Sequence, residues 1–196
     1  HVSVAALPGS FVAPGRALAY VTADSGDAAD IDPTPIAQAF LIGTQRQFDE
    51  DPRFGLVVLA EIASRALSPA VNDPGTAIGI IGTFVRLLAL WSAPVEADDR
   101  GQPEYDRVAV PELALHDLFD DAFTAIARDG AGVIEVAGRL QKAFGSLASM
   151  DDAAMRNIAL QHARLALDRS ETALKLPQDL ELARALYHSI LEREPQ

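Results

Sequence analysis

Cysteine is absent from this 196-residue chain. Its absence excludes disulfide frameworks, thiolate metal sites and cysteine nucleophiles. Positive charge is scarce: 16 Lys and Arg face 28 Asp and Glu, a formal net charge of −12. That balance speaks against nucleic acid or anionic lipid as a partner, because both attract a basic surface. The common catalytic signatures are missing too. The chain has no Walker loop, Gly-x-Gly-x-x-Gly, Gly-x-Ser-x-Gly elbow, His-Glu-x-x-His or calcium loop. Four His without Cys leave little for a strong zinc site. The chain opens at His1 with no Met, basic n-region or apolar h-region, so the expectation is a fragment or processed product rather than a secretory start.

What is present is an ordinary globular composition, 49% hydrophobic and 22% charged. A domain of this length buries about 70% of the surface its unfolded chain exposes, so no disulfide or metal is needed to hold it. Residues 74–95 carry a single charge, Arg86, and at 1.5 Å per residue they would extend about 33 Å, enough to cross a bilayer. Arg86 near the middle costs about 2.5–3.5 kcal/mol on insertion scales. Gly75, Gly79 and Gly82 dilute the run, and no basic cluster flanks it. The run is therefore read as the core helix of a soluble domain.

Val2, Val4, Phe11, Val12, Leu18, Tyr20 and Val21 are strand formers set off by the turn dipeptides Pro8-Gly9 and Pro14-Gly15. They predict two or three short strands in a small hairpin or barrel-like unit. Residues 24–32 read as a loop, and Asp32-Pro33 opens a short helix that Gly43 stops, unless residues 41–48 form a strand. Asp51-Pro52 and Asp73-Pro74 each supply a cap and first-turn pair. The first of these helices ends at Ser68-Pro69; the second, apolar nearly all round, is expected at the centre of its bundle. Residues 92–107 read as an acidic loop and residues 107–110 as a short edge strand. Amphipathic spacings then mark helices through Leu118 and Ile126, through Val136 and Leu147, from Asp151 or Asp152 to about Leu174, and beyond Pro177. The predicted fold class is α+β, predominantly α. A small β-rich subdomain with a short helix occupies residues 1–48 and packs on a bundle of about six helices in residues 49–196.

Two constellations carry candidate chemistry. Glu61, Ser64, Arg65 and Ser68 form one narrow stripe on an otherwise apolar helix, so the ionic pair Glu61 and Arg65 is expected to be partly buried and to need partners. With Asn72, Asp73 and Thr76 they admit two accounts. In one, Asp73 caps the next helix, Asn72 satisfies loop amides and Arg65 ties carbonyls in the turn. In the other, Arg65, Asn72 and the amides opening the second helix form an anion-binding corner. The second constellation is the acidic face of His116, Asp117, Asp120 and Asp121. It suits Mg²⁺ or Mn²⁺, or is a solvated face with Asp favoured near a helix start. His162 reads as a packing histidine beside an apolar stripe, and His188 as part of a surface charge ladder with Arg184 and Glu192. Gly75-x-x-x-Gly79 is a weak sign of close helix contact. The sequence leaves any cofactor unknown.

Residues 48–77, FDEDPRFGLVVLAEIASRALSPAVNDPGTA, resemble the signature of a bacterial family of predicted membrane proteins, domain of unknown function 2254. Arg46, Asp51, Phe54-Gly55-Leu56, Glu61-Ile62-Ala63, Arg65-Ala66-Leu67-Ser68-Pro69, Asn72-Asp73-Pro74 and Thr76-Ala77 carry the likeness. Gly9-Ser10-Phe11-Val12, Gly15-Arg16-Ala17-Leu18 and Ala39-Phe40-Leu41-Ile42-Gly43 resemble its upstream blocks, and the region around Phe119-Asp120-Asp121-Ala122-Phe123 fits in layout. Gln47 departs from the Thr that usually follows the Arg, which leaves any hydroxyl role there without its residue. The resemblance implies a parent whose transmembrane helices precede this region, with this region as the soluble part that follows and no assigned reaction; the expected location is the bacterial inner membrane, with this domain on the cytoplasmic side. The expectation is a homo-oligomeric domain, joined to the transmembrane part of the same polypeptide. It would assemble the protein, sense a small anion or metabolite through Arg46, Glu61, Arg65, Ser68, Asn72, Asp73 and Thr76, or do both. A metal-assisted hydrolase using His116, Asp117, Asp120 and Asp121, and a pure scaffold, are the alternatives. Catalysis is not favoured.

Overall fold

The computed structural model describes residues 1–23, 31–93 and 104–192. Most of the two segments expected as loops, 24–30 and 94–103, lies outside the described residues. The chain divides into two compact units, residues 1–54 with 95–113, and residues 55–94 with 114–196. In the first, β1 (Val2–Val4) pairs antiparallel with β2 (Ala19–Val21) and parallel with β3 (Val108–Ala109), giving the order β2-β1-β3. Val2 stands opposite Val21 on one side and Val108 on the other. Residues 107–113, expected with the helical part, therefore join the first unit through β3. The two Pro-Gly dipeptides make turns in which Gly9 and Gly15 hold φ of 78° and 86°, closed by Ser10 N–H to Leu7 O and Arg16 N–H to Ala13 O. Proline second and a positive-φ glycine third is the type II pattern. A short helix, α1 (Thr34–Gln38), follows Asp32, whose carboxylate accepts the Thr34 N–H. Residues 41–48 form no strand.

The remaining helices are α2 (Pro52–Ala66), α3 (Pro74–Trp91), α4 (Leu115–Asp129), α5 (Ile134–Ala148), α6 (Ala153–Ala173) and α7 (Pro177–Leu191). α5, not α3, is the central helix of the second unit. It packs against α3, α6 and α7 and also touches α4. Small buried residues on α5, among them Ala137, Gly138, Ala143 and Gly145, let neighbours approach on several sides. A Cβ added at Gly138 would stand 3.4 Å from Leu186 of α7. Phe84, Phe119, Phe123 and Phe144 fill the core. Their rings touch edge to face or tilted, with Phe123 at 5.5 Å from Phe84, 5.4 Å from Phe119 and 4.9 Å from Phe144. Asp152 caps α6 by accepting the Ala154 and Met155 amides, and Ser92 Oγ donates to it at 2.8 Å, tying the end of α3 to the start of α6.

The expectation that α3 lies inside the fold is corrected. Ala77, Ile80, Ile81, Phe84 and Leu88 are buried on one face, but only 28% of the helix is buried overall. Among the described residues it is the one helix long and apolar enough to cross a membrane by length and composition.

Candidate functional site

Arg46 belongs to the first unit, where it is already engaged. Its Nε donates to Asp51 Oδ2 at 2.6 Å and its Nη2 to Asp51 Oδ1 at 2.9 Å, while its guanidinium lies 5.3 Å from the Phe54 ring. Asp51 is buried and also accepts the Phe54 N–H, capping α2. Phe48 stacks on Phe54 at 4.6 Å. Gly9 closes the knot from the other side: a Cβ there would collide with the Asp51 carboxylate and stand 2.7 Å from Arg46 Nε. Sequence reasoning found the cap but missed the pairing and the glycine. The signal was available only as Arg46 five residues before Asp51, a spacing with no meaning outside regular structure.

The other predicted residues lie in the second unit, at the α2–α3 corner. Here the burial expected of the ionic pair is corrected: Glu61 and Arg65 are both exposed, and Ser64 and Ser68 are half-buried. α2 buries Leu56, Ala60, Ala63 and Ala66, one turn-spaced line on the opposite side, so the charged pair has no need to enter the core. Ser64 Oγ donates to Asp129 Oδ2 at 2.6 Å, linking α2 to the end of α4. Asp129 is also gripped by Arg128. That guanidinium, more than the serine, holds its carboxyl below the usual range. Ser68 Oγ donates to Arg65 O, and its own carbonyl accepts the Val71 and Asn72 amides. Asn72 takes φ of 51°, a left-handed conformation that Asn tolerates better than most residues. Asp73 N–H then returns to Ala66 O. The Asp73 carboxylate accepts the Thr76 hydroxyl at 2.6 Å and the Thr76 amide at 3.2 Å. Those bonds, the hydroxyl first, lower its pKa. Ser68, Asn72, Asp73 and Thr76 are thus brought together as a turn and a cap. The N-terminus of α3 already carries an anion, the chain's own.

On α4, His116 Nδ1 stands 3.4 Å from Asp120 Oδ2 and 3.8 Å from Asp117 Oδ1. His162 of α6, read from sequence as a packing histidine, is buried among Phe119 at 5.3 Å and Phe144 at 6.1 Å. Its Nε2 faces Asp120 Oδ1 at 3.6 Å. Burial, above all, pushes the imidazole below its ordinary value, and Asp120 opposes that shift. Among the described residues no three His, Asp or Glu side chains are arranged to hold a metal ion. The charge ladder expected at His188 is replaced by a tertiary pair, because Arg184 Nε reaches Glu171 of α6 at 2.6 Å. A cavity of about 180 Å³ between α5 and α7, which nothing in the sequence signalled, is lined by Gln141, Lys142, Gly145, Leu186, Ser189 and Ile190.

α3 also presents exposed apolar side chains. Leu90 is 73% exposed on α3, with Leu87 and Trp91 at 41% and 49% beside it. Gly75, Gly79 and Arg86 share the outward side. A Cβ added at Gly79 would meet nothing within 4 Å, and at Gly82 only Arg86 Nη1 at 4.0 Å.

The chain matches two kinds of known sequence. Uncharacterized proteins of Mycobacterium tuberculosis and Mycobacterium bovis are 41% identical to it over 58 residues, which is 30% of this chain and 11% of each relative. No solved structure matches the chain. The profile of the family described as "Predicted membrane protein (DUF2254)" matches residues 1–146, most of the sequence and all the residues that carry the resemblance, and the chain belongs to that family.

Proposed function

We propose that this chain is an assembly region of a bacterial inner-membrane protein, on the cytoplasmic side, and that copies of it associate through the outward face of α3. The observation that carries the reading is the partly covered state of that helix: a stretch apolar enough for a core leaves Leu87, Leu90 and Trp91 exposed. Exposed apolar residues clustered on one face mark an interaction surface. The glycines support the same reading. Glycine inside a helix costs about 1 kcal/mol against alanine, and among the described residues nothing packs close enough to require it at Gly79.

Size along this face is graded. Gly75, Gly79 and Gly82 occupy the N-terminal half, Arg86 and Leu90 the C-terminal half. An antiparallel pair about a two-fold axis near Gly82 and Thr83 sets Leu90 of one copy against Gly75 of the other, and Arg86 against Gly79. A parallel pair sets bulk on bulk. Such self-complementarity is what a closed dimer interface needs. One helix face supplies only part of a standard interface of about 800 Å² per partner, so the contact is weak unless neighbouring surface joins it.

Sedimentation of the wild type and of Leu90→Glu tests the reading. The wild type is expected to associate with rising concentration and the variant to stay monomeric at unchanged melting temperature. Because the chain has no cysteine, Gly82→Cys gives a clean cross-linking probe, expected to trap a dimer. A wild type that sediments as a monomer throughout, with no cross-link at position 82, rejects the assembly. The anion-sensing alternative retains only Arg65, exposed beside a helix end that Asp73 already caps.

A further inference from the structure

We propose that His162 forms an acid-sensitive joint between α4 and α6: a neutral imidazole in the core whose protonation at Nε2 draws on Asp120 and loosens the packing of the two helices. The inference is independent of the assembly reading. His162 is 3% exposed, and its Nε2 is buried without a hydrogen-bond partner. The carboxylate facing it, Asp120 Oδ1, stands at 3.6 Å, beyond the 2.7–3.2 Å of a hydrogen bond. A buried nitrogen left unpaired in this way costs stability, and it persists here because the ring packs against Phe119 and Phe144.

The groups that face it are few. From α4 come Asp120 and His116, whose ring centroid is 6.3 Å away and whose Nδ1 lies against the other Asp120 oxygen. From α5 comes the uncharged Phe144, with Gln141 donating to Ala163 O one residue along. α6 itself contributes Arg169, and α7 presents no charged group to the ring among the described residues. Among the described residues Asp120 is therefore the one counter-ion within reach of a charged His162. It is half exposed and shared with His116 and the Thr124 hydroxyl. Protonated, Nε2 becomes a donor and needs that carboxylate closer than the present packing allows.

The sign follows from linkage. An unfolded histidine titrates near 6.5, and the folded imidazole resists protonation because it is buried. Below about pH 6.5 the unfolded chain takes up a proton that the folded chain does not. The folding equilibrium then falls by at most about tenfold per pH unit until the folded ring titrates.

Denaturant titrations between pH 7.5 and 5.5 test this with the wild type, His162→Gln and Asp120→Asn. The wild type is expected to lose stability over that range, and His162→Gln to lose markedly less. Asp120→Asn is expected to lose more, because the counter-ion is gone. Nitrogen-detected NMR of the wild-type imidazoles keeps the test open if a variant fails to fold: His162 is expected to titrate later than the other three histidines. Equal pH dependence in wild type and His162→Gln, or a His162 ring that titrates with the exposed histidines, overturns the proposal. So does a melting temperature raised at pH 7.5 by Zn²⁺ or Mn²⁺ in the wild type but not in Asp120→Asn, which makes the cluster a metal site instead.

Discussion

Asp51 is the only buried carboxylate among the described residues, and it survives there because three donors meet it: two from Arg46 and the Phe54 amide. Removing one partner of a buried ion pair typically costs about 3–5 kcal/mol. Arg46 is a third exposed, so Arg46→Ala is expected to cost roughly 2–3 kcal/mol, at or below the lower edge of that range, read as a lowered denaturation midpoint. Gly9→Ala is expected to be at least as damaging, since its Cβ lands on the same carboxylate and its φ is 78°. Arg65→Ala makes the contrast. The side chain is exposed, its backbone oxygen alone serves the turn, and a change within about 0.5 kcal/mol is expected. A melting temperature raised by phosphate, sulfate or citrate in the wild type but not in Arg65→Ala would overturn the structural account of the corner.

Helix ends and helix faces set the next scale. Asp152 is held below the usual carboxylate range first by the Met155 amide and then by the Ser92 hydroxyl. Such a depressed group contributes stability that is complete above its unfolded pKa near 3.9 and is lost as pH falls through its lower folded value. Asp152→Ala is therefore expected to cost about 1–2 kcal/mol at neutral pH and to flatten the acid limb of stability below about pH 4. On α3, Gly79→Ala is expected to raise monomer stability by about 0.5–1 kcal/mol, because the space is open and the helix gains a better former. If the outward face joins two copies, the same substitution weakens their association, so melting temperature and sedimentation move in opposite directions. A loss of monomer stability would mean that something in the chain does approach Gly79.

For the whole molecule, the two units differ in what holds each together. The second unit buries an aromatic core among its helices, with α5 packed on α3, α6 and α7 and α4 packed on α6. In the first, Ala6 is the one buried apolar side chain among the described residues, while Phe11, Leu41, Ile42 and Phe48 are largely exposed. Local stability follows buried apolar contact. Amides of β1 and β2 are expected to exchange with deuterium far sooner than those of α5 and α6, and equal protection would refute this ranking. Much of the second unit was legible in advance because helix punctuation is local. Asp51-Pro52, Asp73-Pro74, Asp152 and Pro177 start helices within one or two residues of where the periodicity put them. The parallel pairing of β3 with β1 was not legible, since two residues near position 108 carry no sign of a partner a hundred residues away.

The candidate site divides along the same line. Cap chemistry at Asp73 was readable because an Asp-Pro start needs only its own first turn. The exposure of Glu61 and Arg65 was misjudged for a different reason: an apolar helix does not say how many of its sides have neighbours. Small residues on α5 decided that question in three dimensions. They made α5 the centre and left α3 with one face in the core and one exposed. Composition and periodicity thus determined the helices, their ends and the acidic, cysteine-free surface, all of which depend on contacts a few residues apart. Only tertiary structure decided that Arg46 belongs to Asp51, that Ser64 reaches Asp129 and that His162 faces Asp120. Each of these pairings depends on which elements meet in space.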